Sequence, residues 1–223
     1  MVDADWERVL ETERLIQAHF PECVLVGGTA AALHVHHRVS FDVDSVLVDL
    51  RRHFDEVLTR LEKLSGWNTS RIRPPVLILG HLEGVDVGIR QLRRAAPLDT
   101  TTISGIVVPT HAEMTRVKGW LVVTRNALRD YLDFAALAAG LGAGFTAAMR
   151  PFDDLYPQRP GSETTLRQLM KQLAEPRPYD FDPGHESHTL SAWRALTPPW
   201  TDWGYTVEFC RRLADHLMTE AMG

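Results

Sequence analysis

Two aspartates, Asp42 and Asp44, open a short apolar run that ends at Val48, and they stand two residues apart. Side chains at positions i and i+2 of a β-strand lie on the same face, so the spacing predicts two neighbouring carboxylates. Adjacent carboxylates repel each other unless a cation lies between them. We expect Mg²⁺, which prefers carboxylate and phosphate oxygens.

A glycine pair, Gly27 and Gly28, lies upstream, between an apolar stretch at residues 24–26 and an Ala-rich segment at residues 29–36. This pattern predicts a strand, a glycine turn and a short helix. Glycine lets a ligand approach the backbone closely, and the free N–H groups at a helix start bind phosphate. A phosphate cradle beside paired aspartates indicates chemistry on a nucleoside triphosphate.

The segment from residue 27 to residue 44 resembles the polymerase-β-like nucleotidyltransferase superfamily, and within it the AbiEii-like toxins of bacterial toxin–antitoxin pairs. Many superfamily members have Gly-Ser where this chain has Gly27-Gly28. The hydroxyl contact to phosphate is therefore either missing or supplied by Thr29. The resemblance depends on nine residues at their spacings: Gly27, Gly28, Thr29, Ala30, His37, Arg38, Ser40, Asp42 and Asp44.

A third acid follows in a predicted hairpin, whose strands at residues 76–81 and 85–89 are joined by a turn. Asp86 lies between two valines of the second strand, and by pattern alone a solvated surface aspartate is an equally good interpretation. The resemblance favours a metal-binding acid, because its members place their third acid on a strand after the pair. The arginines that follow are either solvated surface or a nucleic-acid contact: Arg90, Arg93 and Arg94.

Two more helices are predicted downstream, one at about residues 112–124 and one from Asn126 or Ala127 onward. Surface ion pairs and helix-dipole partners explain most charge patterns of this kind. AbiEii-like proteins, however, have the same order of a lysine, an arginine and an Arg-Asp-x-x-Asp run. These match Lys118, Arg125 and residues 129–133. The resemblance therefore implies that Lys118 contacts nucleotide phosphates and that the acids support the site.

The resemblance implies an Mg²⁺-dependent nucleotidyltransferase that moves a nucleoside monophosphate from an NTP to an acceptor hydroxyl. The expected acceptor is the 3′ end of tRNA, and the expected protein partner is a cognate antitoxin. Transfer to a protein side chain, transfer to a small molecule such as an aminoglycoside, and a non-catalytic nucleotide-binding role remain alternatives. The implied catalytic residues are Asp42, Asp44, Asp86 and Lys118, with the three aspartates as metal ligands, and the implied nucleotide-binding residues are Gly27, Gly28, Thr29, Arg38, Ser40, Lys118, Arg125 and Asp130.

The fold implied by the resemblance is α+β, with a polymerase-β-like nucleotidyltransferase core in which helices flank a mixed sheet. We assign this catalytic domain to residues 1–145 and a helical C-terminal region to residues 146–223, where eight of the 13 prolines punctuate short helices. The expected helices there are at residues 164–174, 188–196 and 205–222. With 44% hydrophobic and 24% charged residues, the composition is ordinary for a globular protein.

The composition also limits partners and location. A formal net charge of -5 argues against a generally basic nucleic-acid coat and leaves room for a local basic groove. The two cysteines have no metal-ligand spacing, so we expect reduced thiols. The acidic start lacks an export signal, and the longest uncharged stretch, residues 134–149, is shorter than the roughly 20 residues of a membrane helix. We therefore expect a cytoplasmic protein with no membrane contact.

Overall fold

The computed structural model describes residues 2–182, 190 and 195–222. The chain forms two compact units, one of Met1–Leu33 with Val39–Thr110 and the other of His34–Arg38 with His111–Gly223. We call these unit 1 and unit 2. The boundary predicted at residue 145 differs from this division, because the helices that follow Thr110 share an apolar core with the C-terminal helices.

Unit 1 is built from helices and two sheets, and short turns connect most of its elements. Its helices are α1 (Val2–His19), α2 (Gly27–Val35, whose end enters unit 2) and α3 (Leu50–Glu62). Its strands are β1 (Val24–Val26), β2 (Asp42–Leu47), β3 (Trp67–Arg73), β4 (Leu77–Leu82), β5 (Val85–Gln91), β6 (Thr100–Ile103) and β7 (Ile106–Pro109).

The larger sheet has the strand order β1-β2-β5-β4-β3, with β2 and β5 parallel and the other neighbours antiparallel. Strands β6 and β7 form a separate antiparallel pair. One face of the larger sheet packs against α1 and α3 through buried apolar side chains such as Val43, Val87 and Ile89. We call this the helix face, and the opposite face, which bears Asp42, the acid face.

The α+β class predicted for the core is confirmed, as are β1, β2 and the β4–β5 hairpin. Helix α2 begins at Gly27, so the glycine pair forms its first turn and does not precede it. Strands β3 and β6 are absent from the sequence prediction. Their side chains are mostly exposed and polar, so they lack the alternation of apolar residues that marks a half-buried strand.

The regular secondary structure in the described part of unit 2 is helical. Its helices are α4 (His111–Arg125), α5 (Leu128–Leu141), a 3₁₀ turn (Gly142–Gly144), α6 (Phe145–Met149), α7 (Phe152–Leu155), α8 (Thr165–Ala174) and α9 (Trp203–Met222). Large side chains including Tyr131, Phe134, Phe152 and Trp203 form its core. The helices predicted at 164–174 and 205–222 are confirmed, whereas most of the predicted helix at 188–196 lies outside the described residues.

The uncharged stretch at residues 134–149 forms part of α5, the 3₁₀ turn and α6. Among the described residues, Leu128–Met149 is long and apolar enough to cross a membrane, judged by length and composition. Half of its apolar window is buried inside the protein, and core helices of globular proteins pass the same test.

Candidate functional site

The acid face of unit 1 gathers the three predicted acids. Asp42 and Asp44 point to this face of β2, as their spacing predicts. The alternate residues of the strand, Val43 and Ser45, are buried on the helix face. Strand β5 runs parallel to β2 with Asp86 directly opposite Asp42. Because directly paired residues of neighbouring strands point to the same side of a sheet, all three aspartates lie on one face.

Two hydroxyl groups fix the strand end at Asp42. The Ser40 hydroxyl donates to Asp42 Oδ1 at 2.5 Å, and the Thr29 hydroxyl donates to the Asp42 backbone oxygen at 2.6 Å. Thr29 is fully buried. The Thr29 hydroxyl is thus enclosed and already bonded, which favours the alternative in which the hydroxyl contact to phosphate is missing. The backbone N–H of Thr29, with those of Gly27 and Gly28, remains a predicted phosphate contact.

Asp44 lies between two glycines and an arginine. Arg90 Nε donates to Asp44 Oδ1 at 3.0 Å. A Cβ atom added at Gly88, the residue paired with Asp44 on β5, would come within 2.8 Å of the same oxygen. Gly27 has a φ of +74°, and a Cβ atom added there would lie 3.0 Å from Asp44 Cβ. The two glycines thus make the space that the Asp44 carboxylate occupies.

Asp86 has a histidine partner that the sequence analysis missed. Strand β4 places His81 opposite Asp86, and His81 Nδ1 lies 2.5 Å from Asp86 Oδ1. The Asp86 side chain is 72% exposed. Strand order therefore produces a row of Asp42, Asp86 and His81 across three neighbouring strands.

The acids supply the right donors for a hard cation but do not converge on a common point. Among residues 2–182, 190 and 195–222, no three His, Cys, Asp or Glu side chains are arranged to hold a metal ion. Asp44 is bonded to Arg90 and Asp86 to His81, so both carboxylates face protein partners. The donor set is oxygen only, as Mg²⁺ prefers. The residues thus fit Mg²⁺ in their donor chemistry, and to bind it Asp44 and Asp86 must leave Arg90 and His81.

A buried carboxyl group supports β2 from the other side of the sheet. Glu13 of α1 is fully buried and accepts hydrogen bonds from Ser45, at 2.9 and 3.0 Å, and from Gln17, at 2.8 Å. Gln17 also bonds both the N–H and the carbonyl of Val107 in β7. Burial raises the pKa of Glu13 to about 8, although the bonds from Ser45 and Gln17 act in the opposite direction. Glu13 therefore ties α1 to the strand that carries the aspartates.

Unit 2 contains a buried ion-pair cluster centred on Asp133 of α5. Arg38 donates to both Asp133 oxygens, from Nε at 2.7 Å and from Nη2 at 3.1 Å. His37 Nε2 lies 2.7 Å from Oδ1, and Lys118 Nζ lies 2.7 Å from Oδ2. Burial alone would raise the pKa of Asp133, but the Arg38 and Lys118 charges, with hydrogen bonds from His37 and Arg38, hold that pKa well below its usual value.

This cluster pairs two of the predicted nucleotide-binding cations with a carboxylate of the protein. Lys118 is 3% exposed and Arg38 is 8% exposed, and both are paired with Asp133. Their predicted contacts with a nucleotide phosphate stay predictions, and in this arrangement both cations stabilise the Asp133 carboxylate. Arg125, at the end of α4, is exposed, and its predicted nucleotide contact stays a prediction.

Asp130, the remaining predicted nucleotide-binding residue of unit 2, lies one helical turn before Asp133 on α5. Its side chain is buried, and neither carboxyl oxygen has a hydrogen-bond partner among the described residues. Lys118 Nζ lies 3.7 Å from Asp130 Oδ1. Burial raises the pKa of Asp130, opposed by the Lys118 and Arg125 charges. Asp130 is thus enclosed by the protein, and its nucleotide-binding role stays a prediction.

Several residues of the site could not be found from the sequence, because their positions depend on tertiary contacts. His81, Gly88 and Glu13 carry no motif, and their positions beside Asp86, Asp44 and Ser45 follow from register and helix packing. One signal was available for Gly88. A glycine inside a strand pattern indicates close approach by another group, here the Asp44 carboxylate.

Comparison of the chain with solved structures shows the nucleotidyltransferase fold. A crystal structure of a candidate nucleotidyltransferase from H. pylori has a TM-score of 0.55 and 16% identity, covering 96% of each chain. The structure of JHP933 from Helicobacter pylori has a TM-score of 0.54 and 16% identity, covering 97% of this chain and 96% of that one. The predicted fold class is thereby confirmed.

Sequence comparison gives a more limited result. No protein-family model matches the chain. A segment is 37% identical over 96 residues to the heme uptake protein MmpL11 of Mycobacterium tuberculosis, covering 40% of this chain and 10% of that protein. The chain thus spans about a tenth of the length of the curated relatives it matches, so the similarity concerns one segment of a much longer protein.

Proposed function

We propose that the protein is a nucleotidyltransferase that moves a nucleoside monophosphate from an NTP to an acceptor hydroxyl. The observation that carries this proposal is the acid face of unit 1. Asp42 and Asp44 stand side by side on β2, and Asp86 stands opposite Asp42 on the parallel strand β5. The nucleotidyltransferase fold and the glycine pair at the start of α2 support the same conclusion.

The proposed reaction transfers the nucleotide in one in-line displacement. The acceptor oxygen forms a bond to the α-phosphorus, the bond from that phosphorus to the bridging oxygen breaks, and pyrophosphate leaves. The backbone N–H groups of Gly27 and Gly28 bind the triphosphate at the positive end of α2. Asp86 accepts the proton of the acceptor hydroxyl, and Ser40 holds Asp42 in its orientation.

Asp42 and Asp44 are the residues that would hold Mg²⁺, with Asp86 as a further ligand once it leaves His81. When bound, Mg²⁺ supplies positive charge that neutralises the triphosphate and lowers the pKa of the acceptor hydroxyl. The protein contributes the spacing of the carboxylates, which the strand geometry fixes.

We propose RNA, and first the 3′ end of tRNA, as the acceptor, within a toxin–antitoxin pair in the cytoplasm. This part of the proposal comes from the resemblance of the glycine and aspartate motif to AbiEii-like toxins. Transfer to a protein side chain or to an aminoglycoside is the second candidate, and the same acid face could serve it. The exposed position of Asp86 favours a large acceptor, because the described residues leave 72% of the side chain open to solvent.

The decisive experiment supplies one labelled NTP at a time, with Mg²⁺, to the purified protein and three separate acceptor pools. The pools are unfractionated tRNA, a protein extract and an aminoglycoside. We expect label in the tRNA pool, none with Asp44→Asn, and full labelling with Asp55→Asn, which removes an exposed carboxylate from α3. Label in another pool would show that the acceptor is not tRNA but a molecule of that pool. No label in any pool would overturn the proposed activity.

A further inference from the structure

The edge strand of the larger sheet, β3, contains a register shift between Thr69 and Arg71. Thr69 pairs with Gly80, and Arg71 pairs with the next residue of β4, Leu79, so Ser70 has no partner on that strand. An extra residue of this kind is a β-bulge, and it reverses the alternation of side chains beyond it. The bulge therefore decides which side chains of β3 reach the acid face.

Strand pairing identifies the redirected side chains. Leu79 pairs with Gly88, which pairs with Asp44, so Arg71 lies at the end of the row that contains Asp44. Arg73 pairs with Leu77, which pairs with Arg90, one row further along. Without the extra residue, both β3 arginines would point to the helix face. The bulge thus places two guanidinium groups on the face that bears the aspartates.

Both arginines are available to a ligand. Both are exposed, and within the described part of the chain neither the Arg71 nor the Arg73 side chain has a hydrogen bond or an ion pair; only their backbone groups are bonded, in and beside the β3–β4 ladder. Arg90, by contrast, is bonded to Asp44. A pair of guanidinium groups without carboxylate partners is a strong site for phosphate oxygens, which they bind in bidentate geometry.

The distance from the aspartates decides between a nucleotide and a longer polyanion. Strand β3 lies three strand spacings from β2, which corresponds to roughly 14 Å between the Cα atoms of Arg71 and Asp44. A triphosphate whose phosphate groups are bound at Asp44 and α2 could not reach Arg71 with those same groups. A nucleic-acid backbone, which carries one phosphate per nucleotide, would do so.

The same strand is poorly suited to a protein partner that adds a strand to the sheet. An edge strand invites pairing when it is flat and regular, and a bulge and charged side chains are devices that prevent it. Strand β3 has both devices. The chemistry of this edge therefore favours a polyanion over an extended peptide.

We infer that Arg71 and Arg73 bind the phosphodiester backbone of the RNA acceptor and guide its 3′ end to the acid face. This inference rests on the proposed function, whose acceptor it locates. The bulge at Ser70 is the structural device that creates the binding surface. The net charge of -5 explains why such a surface must be local, because the molecule as a whole repels RNA.

The test measures binding of a short single-stranded RNA as a function of salt concentration, without NTP or Mg²⁺. Each phosphate contact to a single strand contributes about 0.7 to the slope of log K against log salt. Arg71→Gln/Arg73→Gln should therefore lower the slope by about 1.4 and weaken binding about tenfold at low salt. The matched control is Arg51→Gln/Arg52→Gln, which removes two exposed arginines from α3 on the helix face.

The control variant should bind RNA like the wild-type protein. Equal loss in both double variants would mean a general charge effect and would overturn the inference, as would an unchanged slope in the β3 variant. Weaker NTP binding with unchanged RNA binding would assign the arginines to the triphosphate and would also overturn it. RNA binding that depends on Arg71 and Arg73, in a protein that transfers no nucleotide, would uphold the surface and refute only the proposed activity.

Discussion

Asp44 and Arg90 form an ion pair on the acid face, with Arg90 Nε 3.0 Å from Asp44 Oδ1. The guanidinium charge of Arg90 offsets the negative charge that Asp44 adds beside Asp42. It also makes Arg90 a competitor for any cation that binds Asp44. Strand order creates this relationship, because Arg90 lies on β5, next to β2.

We therefore predict that Arg90→Gln raises the affinity for Mg²⁺ about threefold to tenfold, because a competing positive charge is removed. The effect stays small since the side chains are 39% and 27% exposed and water screens the pair. Isothermal titration calorimetry with Mg²⁺ measures it, with Arg52→Gln on α3 as the control. Unchanged or weaker Mg²⁺ binding in Arg90→Gln would contradict the competition.

Gly88→Ala should separate activity from stability. The new Cβ would lie 2.8 Å from Asp44 Oδ1 and 3.1 Å from a Leu79 methyl group, so the carboxylate must move. Because that oxygen is at the end of a flexible side chain, we expect unfolding free energy to change by less than about 1 kcal/mol. Nucleotide transfer should fall at least tenfold, by about 1.4 kcal/mol or more in activation free energy.

The control for this substitution is Gly144→Ala, where an added Cβ meets nothing within 4 Å. Its transfer rate and stability should match those of the wild-type protein. A Gly88→Ala variant that retains full activity would show that the position of the Asp44 carboxylate is unimportant.

Lys118→Met tests whether the buried ion-pair cluster is structural. Removing one cation leaves Asp130 and Asp133 with less compensation in a buried environment, so we expect a loss of about 3–5 kcal/mol in unfolding free energy. Lys171→Met, which removes an ammonium group from an exposed pair with Glu163, should cost less than about 1 kcal/mol. Urea denaturation measures both.

A stable Lys118→Met protein with weakened NTP binding would give the opposite result. It would return Lys118 to the phosphate-binding role that its place in the sequence predicts.

The raised pKa of Glu13 leads us to predict that the stability of the protein depends on pH. Its pKa rises from 4.5 to about 8 on folding, mainly because of burial, so the protonated form is the one that the folded state favours. The stabilisation is complete below pH 4.5 and is lost as pH rises through about 8. At about 1.4 kcal/mol per pKa unit, the full effect is roughly 5 kcal/mol.

Glu13→Gln keeps a neutral side chain at every pH, so its stability relative to the wild-type protein should increase as pH rises from about 6 to about 9. Denaturation curves at these two pH values measure the change. Glu11→Gln, at an exposed position of α1, should show no such trend. A constant difference between Glu13→Gln and wild type would mean that Glu13 is ionised in the fold.

Much of the fold could be predicted because its signals are local. The i, i+2 spacing placed Asp42 and Asp44 on one face, and the β4–β5 hairpin followed from alternation around a Glu-Gly turn. Helices α4, α8 and α9 have apolar periodicity or clear end signals, so their positions were predicted within a few residues. Strand β3 escaped prediction because it is an exposed edge with polar residues.

The sequence could not predict that the charged residues of unit 2 are buried, for a physical reason. Helical spacing indicates which side chains share a face, but it does not tell whether that face is buried. Lys118 and Asp133 are buried together because α4 and α5 pack on each other, and Arg38 joins them from a distant part of the sequence. A residue pattern that resembles a substrate-binding set can therefore form an internal ion-pair cluster.

The sequence by itself determined the chemistry available to this protein: two carboxylates on one strand face, a third on a later strand, and glycines where a phosphate could approach. Those properties depend on residue type and short-range spacing, which the backbone geometry converts directly into position. Only the tertiary structure decided the neighbours: Asp86 beside Asp42, Arg90 on Asp44, and the β3 arginines on the acid face. These depend on strand order and register, which residues far apart in the chain set together.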